Sequence, residues 1–457
     1  MRKISNLPIN GIIESLSDPI EHVAPGMFFY FDGKTMSIFP RDPLNDAQII
    51  DVLFYNMQSL QSNSLNKTIL IKGSVRPSAE SVVFHVTRHL GIKNRGYYFS
   101  VVAYWIIENN YELKDVSMVR FSGLCVDSFC PMTNIHTSTS EKCSEITART
   151  SSDNFIDLGT AMISKNELAI SAETYWTYSP CKHIKFESRL ICKTKSPNYG
   201  IMKSIYTSFA SALRFCLGRG NVDFILELCV EEKSEFHIVG EFVAVHGKTY
   251  IPDELDKPST CFVRANDIGI YFGKIVSAFS NNLFYGMELS QSREDATIIT
   301  YSKVIELTSA FEREFRELFP EGIKHKTKTQ RDSELAKNAI REAAEDLPSD
   351  PKRILLRLSK RVSEDNLETR IRYACKSLTD EIAEAVFKST GANRKYTQLG
   401  KKITELRNDI AHGNEPRHEF KSIAKEYRLL INLVFAMRLI RLQIPNEDVA
   451  RLVRCKP

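Results

Sequence analysis

The hydrophobic period of this 457-residue chain changes near Tyr301, and that change constrains its fold more than any other feature of the sequence. Before it, short runs of β-branched and aromatic residues are separated by turn residues, which is the pattern of antiparallel strands. After it, apolar residues recur about every 3.6 positions, as they do in amphipathic helices. We therefore predict an α+β protein with a β-rich domain over residues 1–299 and an all-α bundle over residues 300–457.

The N-terminal runs favour an antiparallel sandwich or barrel with packed helices, because turn signals rather than helices separate most of the strands. Met27–Phe31 and Thr35–Phe39 flank an Asp-Gly pair, which predicts a two-residue hairpin turn. Ile201–Leu217 interrupts the strand pattern with apolar residues at helical spacing, and Gly218 is placed to end that helix.

The composition excludes several classes of protein. Hydrophobic residues make up 43% of the chain, which is enough to bury a core and excludes disorder throughout. The longest apolar stretch, Tyr97–Ile107, is much shorter than the roughly 20 residues of a membrane-spanning helix. Residues 1–13 lack the apolar core of a signal peptide, and the ten cysteines include no CxxC pair. These features predict a cytoplasmic protein without a membrane anchor or a disulfide framework.

Positive charge is concentrated in the C-terminal third of the chain. Residues 321–457 contain 29 Lys and Arg against 20 Asp and Glu, a net charge of +9, whereas the rest of the chain has 32 against 36, a net charge of −4. The helical part is therefore the better candidate for an anionic partner.

A late helix, predicted over Arg394–His412, carries the most informative residues. Asn408 and His412 project from one face, one turn apart, and Arg407 lies on the flank. A simpler interpretation is that His412 ends the helix beside a Gly413 cap, where its imidazole favours the helix dipole. The opposite face is an apolar stripe that spans about 80° and must face the core. The stripe consists of Tyr396, Leu399, Ile403, Leu406 and Ile410.

The segment Leu406–Gly413, with the sequence LRNDIAHG, resembles the Arg-x4-His signature of HEPN ribonucleases, including the polar residue directly after the arginine. Three further segments are similar in character and order to regions of ApeA-like anti-phage HEPN proteins. These segments are Ser117–Cys130, Phe209–Cys229 and Val304–Phe315. Together with the motif they extend the resemblance over most of the chain.

This resemblance implies a metal-independent endoribonuclease that acts in bacterial anti-phage defence by abortive infection. It implies host or phage RNA as the substrate, with tRNA as one candidate, and products that end in 2′,3′-cyclic phosphate and 5′-hydroxyl groups. HEPN ribonucleases bring two motifs together across a two-fold axis, so a homodimer or a higher homo-oligomer with a composite site is expected. The N-terminal domain is expected to restrain the nuclease until a phage-derived trigger acts. No metal or other cofactor is expected.

The predicted catalytic residues are Arg407, Asn408 and His412. Histidine transfers protons near neutral pH, and the planar arginine fork suits a phosphate. Asn408 is expected to orient His412 or to contact RNA. Two interpretations of Asp409 stay open: it contributes to the site, or it is a solvated residue on the helix surface. Nearby basic residues are predicted to attract the RNA backbone, with a solvated surface as the alternative. These are Lys401, Lys402, Arg394, Lys395 and Arg417.

Two alternatives stay open at the level of the sequence. Cys125, Cys130, His136 and Cys143 are residue types that bind zinc, although their spacing matches no common zinc knuckle. The second alternative concerns function: the HEPN bundle serves only for dimerisation or RNA binding, and the β-rich domain binds a protein or a ligand.

Overall fold

The computed structural model describes most of the chain. The described residues are 8–17, 21–23, 27–39, 69–78, 80–93, 96–131, 135–139, 146–150, 155–178, 184–195, 197–218, 222, 224–244, 263–284, 286, 288–289, 298–325, 327–362, 365–388, 390 and 399–455. The chain divides into two compact units, one over residues 1–258 and 264–281 and the other over residues 259–263 and 282–457. The first unit is β-rich and the second is helical in its described residues, so the predicted α+β class is confirmed.

Six antiparallel strands of the first unit form a closed barrel. The first seven strands of this unit are β1 (Ile9–Ser17), β2 (Glu21–Val23), β3 (Phe28–Phe31), β4 (Thr35–Phe39), β5 (Ile69–Val75), β6 (Ser81–Lys93) and β7 (Gly96–Ile107), and all of them except β2 belong to the barrel. The order around the barrel is β7-β4-β3-β1-β5-β6, and the ring closes because β7 pairs with both β4 and β6. The short strand β2 pairs only with β1.

The predicted hairpin joins β3 to β4, but its turn is longer than expected. Three residues separate the two strands, and Phe31 lies opposite Met36. The Asp32 Oδ1 atom accepts hydrogen bonds from the backbone N–H groups of Lys34 at 2.8 Å and Thr35 at 2.7 Å. This Asx-type arrangement holds the longer turn, so the two-residue prediction was wrong.

Aromatic side chains fill the interior of the barrel. Phe84 packs edge to face against Phe29 and Phe31, with ring centroids 5.1 Å and 5.2 Å apart. Phe31 packs in the same way against Tyr104 at 5.0 Å, and all four side chains are buried. The barrel is therefore a packed core.

The sheet continues from β7 as an open antiparallel layer in the order β7-β15-β14-β8-β13-β12-β11. Its strands are β8 (Met118–Ser122), β11 (Phe155–Ile163), β12 (Asn166–Tyr178), β13 (Ile184–Lys193), β14 (Ile225–Glu232) and β15 (Glu235–Ala244), while β9 (Ile135–Thr139) and β10 (Ile146–Thr150) form a separate pair. The helices of this unit are α1 (Leu124–Phe129), α2 (Tyr199–Leu217), α3 (Ala265–Ile268) and α4 (Tyr271–Ser280).

Helix α2 covers the apolar face of this layer, as its periodicity predicts. Phe209 stacks on Phe121 of β8 with ring centroids 4.3 Å apart, and both side chains are fully buried. The Asn198 side chain caps the first turn by accepting from the backbone N–H of Ile201, and Gly218 ends the helix with φ 66°. The predicted helix and its glycine stop are confirmed.

The described residues of the second unit that follow residue 300 form helices joined by short segments. The helices are α5 (Tyr301–Leu318), α6 (Thr327–Glu345), α7 (Ser349–Arg361), α8 (Leu367–Ser377), α9 (Asp380–Lys388), α10 (Lys401–Ala411), α11 (Phe420–Arg441) and α12 (Asn446–Cys455). A short break separates helix α8 from helix α9. Leu378 between them is extended, with φ −69° and ψ 146°, and the acidic pair Asp380 and Glu381 starts the new helix.

A buried ionic network joins α11 to α5 and to the segment before it. Arg438 Nε donates to Glu314 Oε1 at 3.2 Å, and its Nη1 donates to Glu288. Arg441 Nη1 lies 2.8 Å from Glu314 Oε2 as an ion pair, without the geometry of a hydrogen bond. The side chains of Arg438 and Glu314 are 2% and 0% exposed, so these charges depend on one another for solvation. Among the residues described, no helix is both long and apolar enough to cross a bilayer.

Candidate functional site

Helix α10 positions the candidate site, and its apolar stripe faces the core as predicted. Leu399, Ile403 and Leu406 are 5%, 1% and 0% exposed, and Ile410 is half-buried. Tyr396, the remaining member of the stripe, lies outside the described residues. The described helix starts after Gly400, whose φ of 80° is incompatible with a helical residue. Residues 399 and 400 form a turn, so the prediction was wrong to include them in the helix.

The N-terminus of α10 is held by a carboxylate from α11. Glu426 Oε2 accepts a hydrogen bond from the backbone N–H of Ile403 at 3.2 Å, and Glu426 is 5% exposed. This bond satisfies one of the N–H groups that the first helical turn leaves without a partner. The start of α10 is thereby fixed against α11.

The C-terminus of α10 ends in a Schellman motif around His412. The Asn414 N–H donates to the Asp409 carbonyl at 2.8 Å, and the Gly413 N–H donates to the Ile410 carbonyl at 3.2 Å. Gly413 has φ 67°, the left-handed conformation that this motif requires. His412 is the C-cap residue and is exposed. The prediction that the helix ends at His412 and Gly413 is confirmed, and so is the outward position of His412.

Arg407 and Asn408 form a hydrogen-bonded pair on the turn before His412. Arg407 Nη1 donates to Asn408 Oδ1 at 3.2 Å, and both side chains are half-buried. Neither predicted role of Asn408, orienting His412 or contacting RNA, includes this contact of its amide oxygen with Arg407. The guanidinium, the amide nitrogen and the imidazole belong to the last two turns of one helix.

Asp409 is buried, so its interpretation as a solvated helix residue was wrong. It is 3% exposed and accepts three hydrogen bonds from Arg417. Arg417 Nη2 donates to Oδ1 at 2.8 Å, while Arg417 Nε and its backbone N–H donate to Oδ2 at 3.0 Å and 3.2 Å. The side-chain hydrogen bonds from Arg417 hold the pKa of Asp409 below its usual value. Asp409 therefore ties the segment after the helix to its last turn, through both its carbonyl and its carboxylate.

A side-chain hydrogen bond ties the same segment to the helix one turn earlier. His418 Nε2 lies 2.6 Å from Glu405 Oε2, and this hydrogen bond lowers the pKa of Glu405. Glu405 and His412 lie within about 20° of each other around the helix axis at roughly 100° per residue. The residues after His412 are thus fastened to the helix at Glu405 and at Asp409. Sequence analysis missed both contacts.

The structure places the predicted RNA-contacting cations in three different situations. Lys401 is exposed and Lys402 is half-buried, both in the first turn of α10. Arg417 is 61% exposed, but its guanidinium is engaged by Asp409. Arg394 and Lys395 lie outside the described residues. The end of α10 thus carries Arg407, Asn408 and His412, and the ion-paired Arg417 follows five residues after His412.

The alternative zinc set is only partly described. Cys125 and Cys130 are buried on and just after α1, and burial raises the pKa of the Cys130 thiol. Cys143 and the side chain of His136 lie outside the described residues. Within the described part of the chain, no group of three or more His, Cys, Asp or Glu residues is arranged to hold a metal ion.

No family model, no curated protein and no solved structure matches this chain. Its function is therefore argued from the residues of the site and from the resemblance of its motif.

Proposed function

We propose that this protein is a metal-independent endoribonuclease of the HEPN type. The observation that carries the proposal is the exposed imidazole of His412 at the end of α10, one turn after the hydrogen-bonded pair of Arg407 and Asn408. This is the chemistry that RNA transphosphorylation needs: a group that transfers protons near neutral pH beside a fixed cation.

In the proposed reaction the 2′-hydroxyl of RNA attacks the adjacent phosphorus and loses its proton to a base. The bond from phosphorus to the 5′-oxygen breaks, and that oxygen takes a proton from an acid. Arg407 binds the phosphate and stabilises the charge on the crowded phosphorane, while Asn408 holds the guanidinium in place. The products end in a 2′,3′-cyclic phosphate and a 5′-hydroxyl group.

The reaction needs two proton-transfer groups, and one motif supplies one histidine. The proposal therefore includes a homodimer or a higher homo-oligomer in which two copies of His412 and Arg407 meet across a two-fold axis. The exposure of His412 supports this step, because a second copy is able to approach it. Heterodimers of a His412→Ala copy and an Arg407→Ala copy distinguish a composite site from two separate ones.

The biological role that we propose is anti-phage defence by abortive infection in the cytoplasm. An unrestrained ribonuclease harms its own cell, so the β-rich unit is proposed to hold the nuclease inactive until a phage-derived trigger acts. Host or phage RNA, with tRNA as one candidate, is the proposed substrate. Phage plating on cells with wild-type protein or His412→Ala tests the role, and equal protection by both separates defence from this chemistry.

A second candidate function is supported by the backbone of His412 itself. Because His412 is the C-cap of a Schellman motif, its position has a structural explanation without catalysis. In that case the helical unit binds RNA or dimerises without cleaving, and the β-rich unit binds a protein or a ligand. The test is incubation of the purified protein with total RNA in excess chelator. New ends that carry 2′,3′-cyclic phosphate support the ribonuclease, and intact RNA under activating and resting conditions supports the second candidate.

A further inference from the structure

Helices α6 and α7 form a hairpin that packs chiefly on itself among the described elements. Its inner seam is thin: Ala344 is 1% and Ser359 is 3% exposed, while most other residues of the two helices are exposed or half-buried. At its base, His325 Nε2 lies 2.8 Å from Asp365 Oδ1, which joins the segments that enter and leave the hairpin. A two-helix element with so little buried surface gains stability from whatever binds to its outer faces.

The two helices differ sharply in charge. Residues 349–361, which form α7, contain five Lys and Arg against one acidic residue. Residues 327–345, which form α6, contain four Lys and Arg against four acidic residues. The positive charge of the hairpin therefore belongs to α7, and α6 is a natural internal comparison.

A groove of about 440 Å³ runs along α7, and we call it the α7 groove. It is lined by Ser349, Lys352, Arg353, Leu356, Arg357 and Lys360. At roughly 100° per residue these six positions span about 140° of the helix surface, so they form one face. Arg353 lies 3.3 Å from Asp350 in an ion pair in which both side chains are largely exposed. Such a pair competes weakly with a bound anion.

We infer that the α7 groove binds the phosphate backbone of RNA and holds the substrate of the helical unit. The inference rests on the proposed function, and it adds a binding surface that the Arg-x4-His motif does not contain. From Lys352 to Lys360 the groove extends about 12 Å at roughly 1.5 Å per residue. That length covers about three phosphates of one strand at the roughly 3.4 Å axial spacing of a double helix. Four cations along this length match an anionic polymer of regular spacing.

The arrangement favours RNA over a lipid surface. A membrane-binding helix immerses its apolar face, and its cations flank that face. On α7 the cations line the groove itself, with Leu356 between them, and the exposed side chains of Ile354 and Leu358 lie on the other side of the helix. The cationic face of α7 is therefore the face opposite Ile354 and Leu358.

The test compares two sets of charge removals in a His412→Ala background, which leaves bound RNA uncut. The α7 variant carries Lys352→Gln, Arg357→Gln and Lys360→Gln, and the matched α6 variant carries Lys328→Gln, Arg331→Gln and Arg341→Gln. The probe is a fluorescein-labelled single-stranded RNA, and anisotropy gives the dissociation constant over a range of salt concentrations. The α7 variant is expected to bind about 10- to 100-fold more weakly, with a salt slope smaller by about 2 for three lost contacts. The α6 variant is expected to bind within about twofold of the parent.

A charge-retaining variant, with Lys352→Arg, Arg357→Lys and Lys360→Arg, is expected to bind RNA like the parent, which separates charge from folding. Equal loss in the α6 and α7 variants overturns the inference, and so does unchanged binding in the α7 variant. Binding of the parent to phosphatidylserine vesicles in place of RNA overturns it in favour of a membrane surface. The experiment measures binding and not cleavage, so the two proposals can fail separately. If the protein binds RNA through α7 but never cleaves it, the proposed ribonuclease activity is refuted and the inference about α7 stands.

Discussion

Replacement of Arg438 by methionine tests the packing that supports the candidate site. Methionine keeps much of the volume of the arginine stem but removes the cation that bridges Glu314 and Glu288. Glu314 is fully buried and keeps its ion pair with Arg441, which lies 2.8 Å away without a well-formed hydrogen bond. Removal of one partner from a buried ion pair typically costs about 3–5 kcal/mol, because the remaining charge stays desolvated. Because Arg441 remains, we predict the lower end, about 3 kcal/mol.

The chain offers a clean assay for this prediction. Both tryptophans, Trp105 and Trp176, belong to the β-rich unit, whereas most described helices belong to the second unit. In urea unfolding, far-UV circular dichroism should report the destabilised helices, while tryptophan fluorescence reports the other unit. The matched control is Arg451→Met, which removes a partly exposed pair with Asp448 at 2.7 Å and should cost under about 1 kcal/mol.

The same variant has a defined pH dependence. Burial raises the pKa of Glu314 above its ordinary 4.5, and Arg438 is the leading group that lowers it. A carboxyl with a raised pKa in the folded state favours folding most below its ordinary pKa, and that contribution is lost as the pH rises through the folded value. Without Arg438 the folded pKa rises further, so the stability deficit of the variant should be smaller near about pH 5 than near about pH 8. A deficit below about 1 kcal/mol, or an equal deficit at both pH values, would refute the reasoning.

Two further predictions concern the end of α10. Arg407→Lys should reduce the rate of RNA cleavage by on the order of 10² to 10³, about 3–4 kcal/mol, because lysine lacks the bidentate fork. Asn408→Ala should reduce the rate less. Single-turnover rates on one labelled RNA rank the two variants, and a larger loss in Asn408→Ala would contradict the assignment. Asp409→Asn should loosen the segment after α10 that Arg417 fastens to the helix. The cleavage rate should fall by on the order of 10-fold, and hydrogen exchange at the backbone amide of Asn414 should become faster. Unchanged exchange at Asn414 would show that the Asp409 carboxylate does not hold the segment.

The local patterns of the sequence predicted much of the fold. The alternation before Tyr301 and the helical period after it predicted the two structural classes, and α2 with its Gly218 stop was predicted closely. Closure of the barrel was left open beside a sandwich. It depends on β7 pairing with β4 as well as with its neighbour β6, and the pairing of β4 with β7, which are distant in the chain, leaves no local pattern.

The candidate site was predicted in its exposed residues and missed in its supporting ones. The period of α10 indicated that His412 faces away from the core, and its C-cap position agrees. Asp409 was misread because its helical angle lies about 60° beyond Leu406, the nearest residue of the apolar stripe, where burial depends on what packs beside the helix. Its partner Arg417 is eight residues further on, beyond the glycine turn, so no helical spacing connects the two.

Proton transfer by His412 during RNA cleavage is tested by a comparison of three proteins. Wild type, His412→Ala and the control His237→Ala, which removes an exposed histidine from β15, are given the same labelled RNA in excess chelator, with circular dichroism to confirm folding. We predict that wild type and His237→Ala produce 2′,3′-cyclic phosphate ends at similar rates, and that folded His412→Ala produces none. Wild-type cleavage by His412→Ala would contradict the account, and an unfolded His412→Ala protein would assign the residue to the end of the helix instead of to catalysis.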